Sequence, residues 1–219
     1  MNANFEILNK FKGFGNPNGA YWFVGIEESL NFKDNLANII EAYSDEFIPF
    51  LENSIINDSQ ENGRHYTQVY DIMAKILVDI TGNNMYWKDF RDKKLLQIDS
   101  NEFQMNLFPL GKKKIEAWPD FYQSYFGFNS HKEYLYYVKQ TRFKILNDFY
   151  KSKKPILTIC FGKTHREYFI NAFGLKNGIM HGCDIEYYPK EKVIITPFFN
   201  NIYMNTVLIK RTVELAKLI

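Results

Sequence analysis

Cysteine is nearly absent: Cys160 and Cys183 are the two among 219 residues, and they form no C-x-x-C pair. A structural zinc or a four-cysteine iron–sulfur cluster needs more ligands than that. No metal site is therefore expected, and both thiols are expected to be buried in strands, in a reducing compartment. Long hydrophobic runs are missing too. No stretch approaches the roughly 18 apolar residues of a membrane span, and the first residues lack the basic-then-apolar order of a secretory leader. These absences lead to the expectation of a cytoplasmic protein with no membrane partner. An excess of one charge is also lacking, with 27 basic residues against 25 acidic and a formal net charge of +2. That balance excludes no function class, because an enzyme acting on nucleic acid can keep its positive charge local. Internal repeats and low-complexity segments are absent, and the length suits a single domain spanning 1–219 with a sizeable core.

Aromatic residues are plentiful, at 17% with 20 Phe and 15 Tyr. They suit base stacking and equally suit an aromatic core. "GFGNPNG" (13–19) reads as a turn cluster, and "AYWFVGI" (20–26) as a strand covered on both faces. Helical spacing follows over 31–43 and 66–80, separated by the polar, turn-rich "ENSIINDSQENGR" (52–64), which reads as a long exposed loop. "EFQMNLFPLG" (102–111) reads as a second strand ended by Pro109 and Gly111, and 131–150 as a helix with basic outer positions. "KPILTICFG" (154–162) is a third strand before a helix over 163–174; "CDIEYY" is a hairpin or edge strand, "KVIITP" (192–197) a fourth core strand, and 203–219 a last helix.

Strands alternating with helices predict an α/β protein with a parallel sheet. In such sheets ligands bind beyond the carboxyl ends of the strands. Those ends are Gly25-Ile26-Glu27-Glu28-Ser29, Asn106-Leu107-Phe108-Pro109, Gly162-Lys163-Thr164-His165 and Thr196-Pro197-Phe198-Phe199-Asn200-Asn201. All four are polar or contain Gly or Pro, and all four are expected to converge on one cleft.

In this order, "GIEES", "MNLFPLG", "CFGKTHREYF" and "TPFFNN" resemble the uracil-DNA glycosylase superfamily. In that family the first strand ends in a loop such as G-Q-D-P-Y-H, G-E-A-P-G or G-I-N-P-G, and the second carries an Asn that reads a flipped base. The third ends in a Gly-containing turn before a helix, and the fourth in H-P-S-P or a relative of it. The resemblance spans about residues 20–215. It implies a three-layer sandwich with a central, mainly parallel four-stranded sheet flanked by helices. It also implies DNA as partner and hydrolysis of an N-glycosidic bond by water without a cofactor. The chain departs from the pattern at three places: Glu28-Ser29 replace Pro-Gly, Thr196 stands where the family has His, and the separation from Gly25 to Asn106 leaves room for an insertion within 44–100. These departures imply a modified or damaged base other than plain uracil. Defence against phages with modified DNA is a role that some members of the family serve. The alternative is a non-catalytic nucleic-acid or nucleotide-binding module on the same fold.

N-glycosidic cleavage passes through an oxocarbenium-like sugar, which a carboxylate stabilises while orienting the attacking water. The resemblance gives that role to Glu27, with Glu28 as the fallback. In an extended segment neighbouring side chains diverge, so one of the two is expected to face the cleft. The plainer reading puts both in a helix's first turn, where its dipole favours acids. Asn106 offers the donor and acceptor that reading a base requires, though a strand-end Asn also satisfies loop backbone. Thr196 takes the place of the family His, and His181 is a possible substitute for it. Phe32, Tyr43 and Tyr66 are stacking candidates. For the nucleic-acid backbone and the gap left by an extruded nucleotide, the candidates are Lys112, Lys113, Lys163, Thr164, Arg166, Phe198, Phe199, Asn200 and Asn201. A lysine run is also an ordinary solvated face, Thr164 an ordinary helix cap, and a phenylalanine an ordinary core residue.

Overall fold

Buried apolar runs build the centre of the sheet. The structure, a computed structural model, describes residues 3–28, 32–48, 68–112, 116–200 and 202–219, with 32–35 described by backbone alone. Its strands are β1 (Gly13–Gly15), β2 (Tyr21–Gly25), β3 (Phe47–Ile48), β4 (Glu102–Asn106), β5 (Leu157–Phe161), β6 (Ile179–His181), β7 (Ile185–Tyr188) and β8 (Val193–Thr196). They form one sheet in the order β3-β1-β4-β2-β5-β8-β7-β6. The four strands anticipated from apolar runs, β4-β2-β5-β8, are adjacent and mutually parallel. Trp22, Phe23 and Val24 of β2 are fully buried, as a strand covered on both faces requires.

The expectation of a four-stranded, mainly parallel sheet is corrected: the fold is α/β, but its sheet is mixed and has eight strands among the described residues. β1 runs antiparallel to β4, and β3 pairs in parallel with β1. β7 runs antiparallel to both β8 and β6. Of the added strands, β7 falls in the "CDIEYY" read as a hairpin or edge strand; β1, β3 and β6 have two or three residues, too few for an alternation to declare itself, and β1 is the "GFG" read as a turn. Gly13 is needed there, because a Cβ would lie 1.9 Å from the Gln104 carbonyl oxygen across the strand pair. Cys160 is buried in β5, but Cys183 is exposed in the turn between β6 and β7, which corrects the expectation for the second thiol.

The helix Gln68–Thr81 packs with Trp87–Lys93 and Thr206–Ala216, while His131–Lys153 packs with Arg166–Phe173 and Ala3–Lys10. Trp22 meets Phe149 and Tyr150 of the long helix, whereas Phe23, on the opposite pleat face, meets Phe199. The long helix starts at Ser130, whose hydroxyl accepts from the Glu133 N–H at 3.2 Å, while Glu133 accepts from the Asn129 N–H at 2.8 Å. Within the stretch expected to hold an insertion, Ile72, Met73, Ile76 and Leu77 belong to the common core; 49–67 lie outside the described residues, including the whole of the anticipated loop. Among the described residues no helix is long and apolar enough to cross a membrane.

Candidate active site

Pairing of β2 with β4 continues past the ends of both strands. Leu107 and Phe108 donate their N–H groups to Gly25 and Ile26 at 3.0 and 2.8 Å, and Lys112 donates to Glu28 at 3.0 Å. Glu27 and Glu28 therefore sit in an extended stretch ahead of the helix Phe32–Ala42, not in its first turn, so the helix-dipole reading does not apply. The two side chains take different partners, yet both line the cavity at these strand ends, which corrects the expectation that one of the two would face it. Glu27 forms an ion pair with Lys112 at 3.1 Å, both side chains buried, and Lys112 lies 3.0 Å from His131 Nε2. Glu28 accepts from Tyr43 Oη at 2.8 Å and from Asn106 Nδ2 at 3.5 Å. Gly25 makes room for that amide: a Cβ there would lie 2.3 Å from Asn106 Oδ1 and 3.0 Å from the Phe161 ring.

Burial dominates the electrostatics. It raises both carboxyls from about 4.5 to about 7; Lys112 opposes the rise at Glu27, and Tyr43, Arg142 and Asn106 oppose it at Glu28. Burial pushes Lys112 down despite Glu27, and pushes His131 down together with the Lys112 charge. Arg142 is 2% exposed and lowered to about 10 by burial. Its guanidinium donates to the carbonyls of Leu107 and Asn106 at 3.0 Å each and to that of Asn9 at 2.5 Å. Arg142 is thus an exception to the basic outer positions expected of the long helix, where Lys132, Lys139 and Lys144 are exposed.

A cavity of about 380 Å³ opens at these strand ends, within the size range of small-ligand pockets. Phe14, Val69, Phe161, Phe198 and Phe199 give it apolar walls, and Glu27, Glu28, Tyr43, Gln68, Tyr70, Gln104, Asn106 and Asn200 its polar groups. The ends of β2, β4 and β5 and the segment after β8 thus meet there. Lys163 and Thr164, after β5, line a neighbouring cavity of about 550 Å³ that shares Phe198.

The anticipated residues fall in different places. Glu27, Glu28, Asn106, Tyr43, Phe198, Phe199 and Asn200 line the first cavity. Tyr43 stacks its ring on Phe11 at 3.9 Å and turns its hydroxyl to Glu28, so it holds the carboxylate and leaves base stacking to other rings. Phe199 is fully buried and stacked on Phe161 at 4.6 Å, while Phe198 is 43% exposed. Asn200 Oδ1 accepts from the N–H groups of Ile202 and Tyr203. Thr196 is fully buried outside the cavity lining, its hydroxyl donating to Pro197 O at 3.0 Å and near Cys160 O at 3.4 Å. Lys112 is buried against Glu27 rather than displayed to solvent. Lys163 Nζ donates to the Cys183 carbonyl, and Arg166 forks onto Glu186 at 2.8 and 3.0 Å. Thr164 is exposed within the short 3-10 turn Lys163–His165, whose start has no side-chain cap. His181 is exposed on the edge strand β6, away from the cavity lining. Tyr66, Lys113 and Asn201 lie outside the described residues, as does the side chain of Phe32.

Arg142, Gln104, Tyr70 and Phe161 were not anticipated. Gln104 carries a legible signal, since it precedes Asn106 by two in one strand and so shares its face. Arg142 has none, because its hydrogen-bond partners come from two other segments. No protein-family model matches this chain, and no curated protein matches it.

Proposed function

We propose that the chain is a monofunctional DNA glycosylase that flips a modified or damaged base into the 380 Å³ cavity and hydrolyses its N-glycosidic bond. The observation that carries the reading is a half-buried Glu28, braced by Tyr43 and Asn106, inside an aromatic-walled cavity at the carboxyl ends of parallel strands. Glu28 is the better carboxylate of the two, because Glu27 is already neutralised by Lys112. In this mechanism the C1′–N bond breaks as Glu28 stabilises positive charge on the sugar. Glu28 then takes a proton from the water whose oxygen bonds to C1′, the base departs with the bonding pair and takes up a proton from solvent, and Glu28 releases its own proton to solvent, leaving an abasic site. Asn106 holds the base edge, Phe161 and Phe198 flank its faces, and no cofactor is needed. The three-layer glycosylase-like sandwich, DNA as partner and a role against phages with modified DNA belong to the same proposal.

The test is incubation with DNAs bearing varied bases, heavily modified phage DNA included, followed by mass spectrometry for free base and abasic sites. Release is expected, with Glu28→Gln slowing it by roughly 10²–10⁴-fold and Glu27→Gln by less. No release from any DNA, or full activity in both variants, defeats the proposal. One observation favours the non-catalytic alternative: the Thr196 hydroxyl is turned to backbone carbonyls and is not offered to a departing base. Under that reading DNA is held without release, in a complex that weakens steeply with salt.

A further inference from the structure

β4 alternates its side chains, so Gln104 and Asn106 share one face, and both line the cavity. Gln104 is 4% exposed. Its amide is hydrogen-bonded to the Tyr70 phenol, another lining group. Its Oε1, by contrast, is buried without a hydrogen-bond partner among the described residues. A buried acceptor left unmatched costs stability, and folded proteins keep few of them. Among the other atoms without a hydrogen bond, those of Asn9, Asn147 and Thr158 line none of the described cavities, and those of Glu27, which lines the same cavity, belong to a carboxylate ion-paired with Lys112. At Gln104 the open acceptor coincides with a cavity large enough for a ligand, and a ligand's donor satisfies it.

We propose that Gln104 is a specificity-determining residue: its Oε1 accepts a hydrogen bond from a ring or exocyclic N–H of the bound base, so bases alkylated at that N–H are rejected. The inference rests on the base-binding reading above and names the chemical feature that the cavity selects. Apolar walls sort bases by shape, whereas a buried acceptor sorts them by donor, since a base lacking the N–H strands the Gln104 oxygen.

Equilibrium binding of free cytosine, adenine and uracil, each against its N4,N4-dimethyl, N6,N6-dimethyl or 3-methyl counterpart, tests it in wild type, Gln104→Met and Gln104→Glu. The best-bound base is expected to bind at least about tenfold more tightly than its methylated counterpart in wild type, the size of one buried hydrogen bond left unmade. Gln104→Glu keeps an acceptor and is expected to keep that ratio; Gln104→Met, similar in length, is expected to bring it near one. A purely steric effect of the methyl groups would persist in Gln104→Met. A ratio unchanged in Gln104→Met, a ratio near one in wild type, or binding of none of the six bases overturns the assignment. Parallel assays of base release from DNA separate the two readings. Selective binding without release leaves Gln104 standing and sinks the glycosylase; release with selectivity unaltered in Gln104→Met does the reverse.

Discussion

Position 25 has no space for a side chain. Gly25 ends β2 directly opposite Asn106 in the parallel ladder, and a Cβ would collide with Asn106 Oδ1 at 2.3 Å. The amide is the movable partner in that collision, because the Asn106 backbone is fixed by the ladder and by Arg142. Gly25→Ala is therefore expected to fold, displace the amide and break its contact with Glu28. Base binding should fall at least about tenfold, the effect of one lost buried hydrogen bond, with a smaller change in unfolding free energy. Titration with the best-bound base, alongside denaturant unfolding, checks it; unaltered binding would mean that Asn106 does not touch the base. Gly25, Glu27, Glu28 and Asn106 were legible in the sequence because a strand end in a parallel sheet is a recognisable place. Which way each glutamate turns was not, because Tyr43 and Lys112 reach them from separate segments of chain.

At the scale of elements, the helix His131–Lys153 links the site to the core. Its 23 residues extend about 34 Å at 1.5 Å per residue, and Arg142 projects from its middle into carbonyls of the first helix and of the segment after β4. Arg142→Met retains the apolar stem but leaves those buried carbonyls without donors and Glu28 without a cation. Such losses are expected to destabilise the fold by about 3 kcal/mol or more. Denaturant unfolding measures this, and a loss under about 1 kcal/mol would mean that water replaces the guanidinium. Helical spacing reveals that 131–150 is a helix but not which basic residue turns inward, because the carbonyls that receive Arg142 lie more than 30 residues away. The same limit hid the outer strands. "KVIITP" and "KPILTICFG" announce themselves as continuous apolar runs, whereas "GFG" and "IMH" become strands only through the neighbours they pair with.

For the whole molecule, the two raised carboxyls of the cavity, Glu27 and Glu28, contribute a pH dependence of stability opposite in direction to that of ordinary acid unfolding. A carboxyl held near 7 in the fold and near 4.5 when unfolded binds its proton more tightly in the folded state. Its contribution to stability is complete below about 4.5 and is lost as pH rises through about 7. The shift corresponds to at most about 3 kcal/mol for Glu28. Glutamine mimics the protonated acid and can still accept from Tyr43, so Glu28→Gln should match wild type in stability near pH 5 and exceed it by roughly 2 kcal/mol at pH 8. His131, whose depressed affinity for protons contributes in the opposite direction as pH falls, is common to both proteins and cancels in the difference. Denaturant unfolding of the pair between pH 5 and 8 decides the matter, and a difference that stays constant with pH would show that Glu28 titrates as an ordinary carboxylate. A gain in stability above pH 7 combined with lost base release would mean that the charge on Glu28 is kept for function at the expense of the fold.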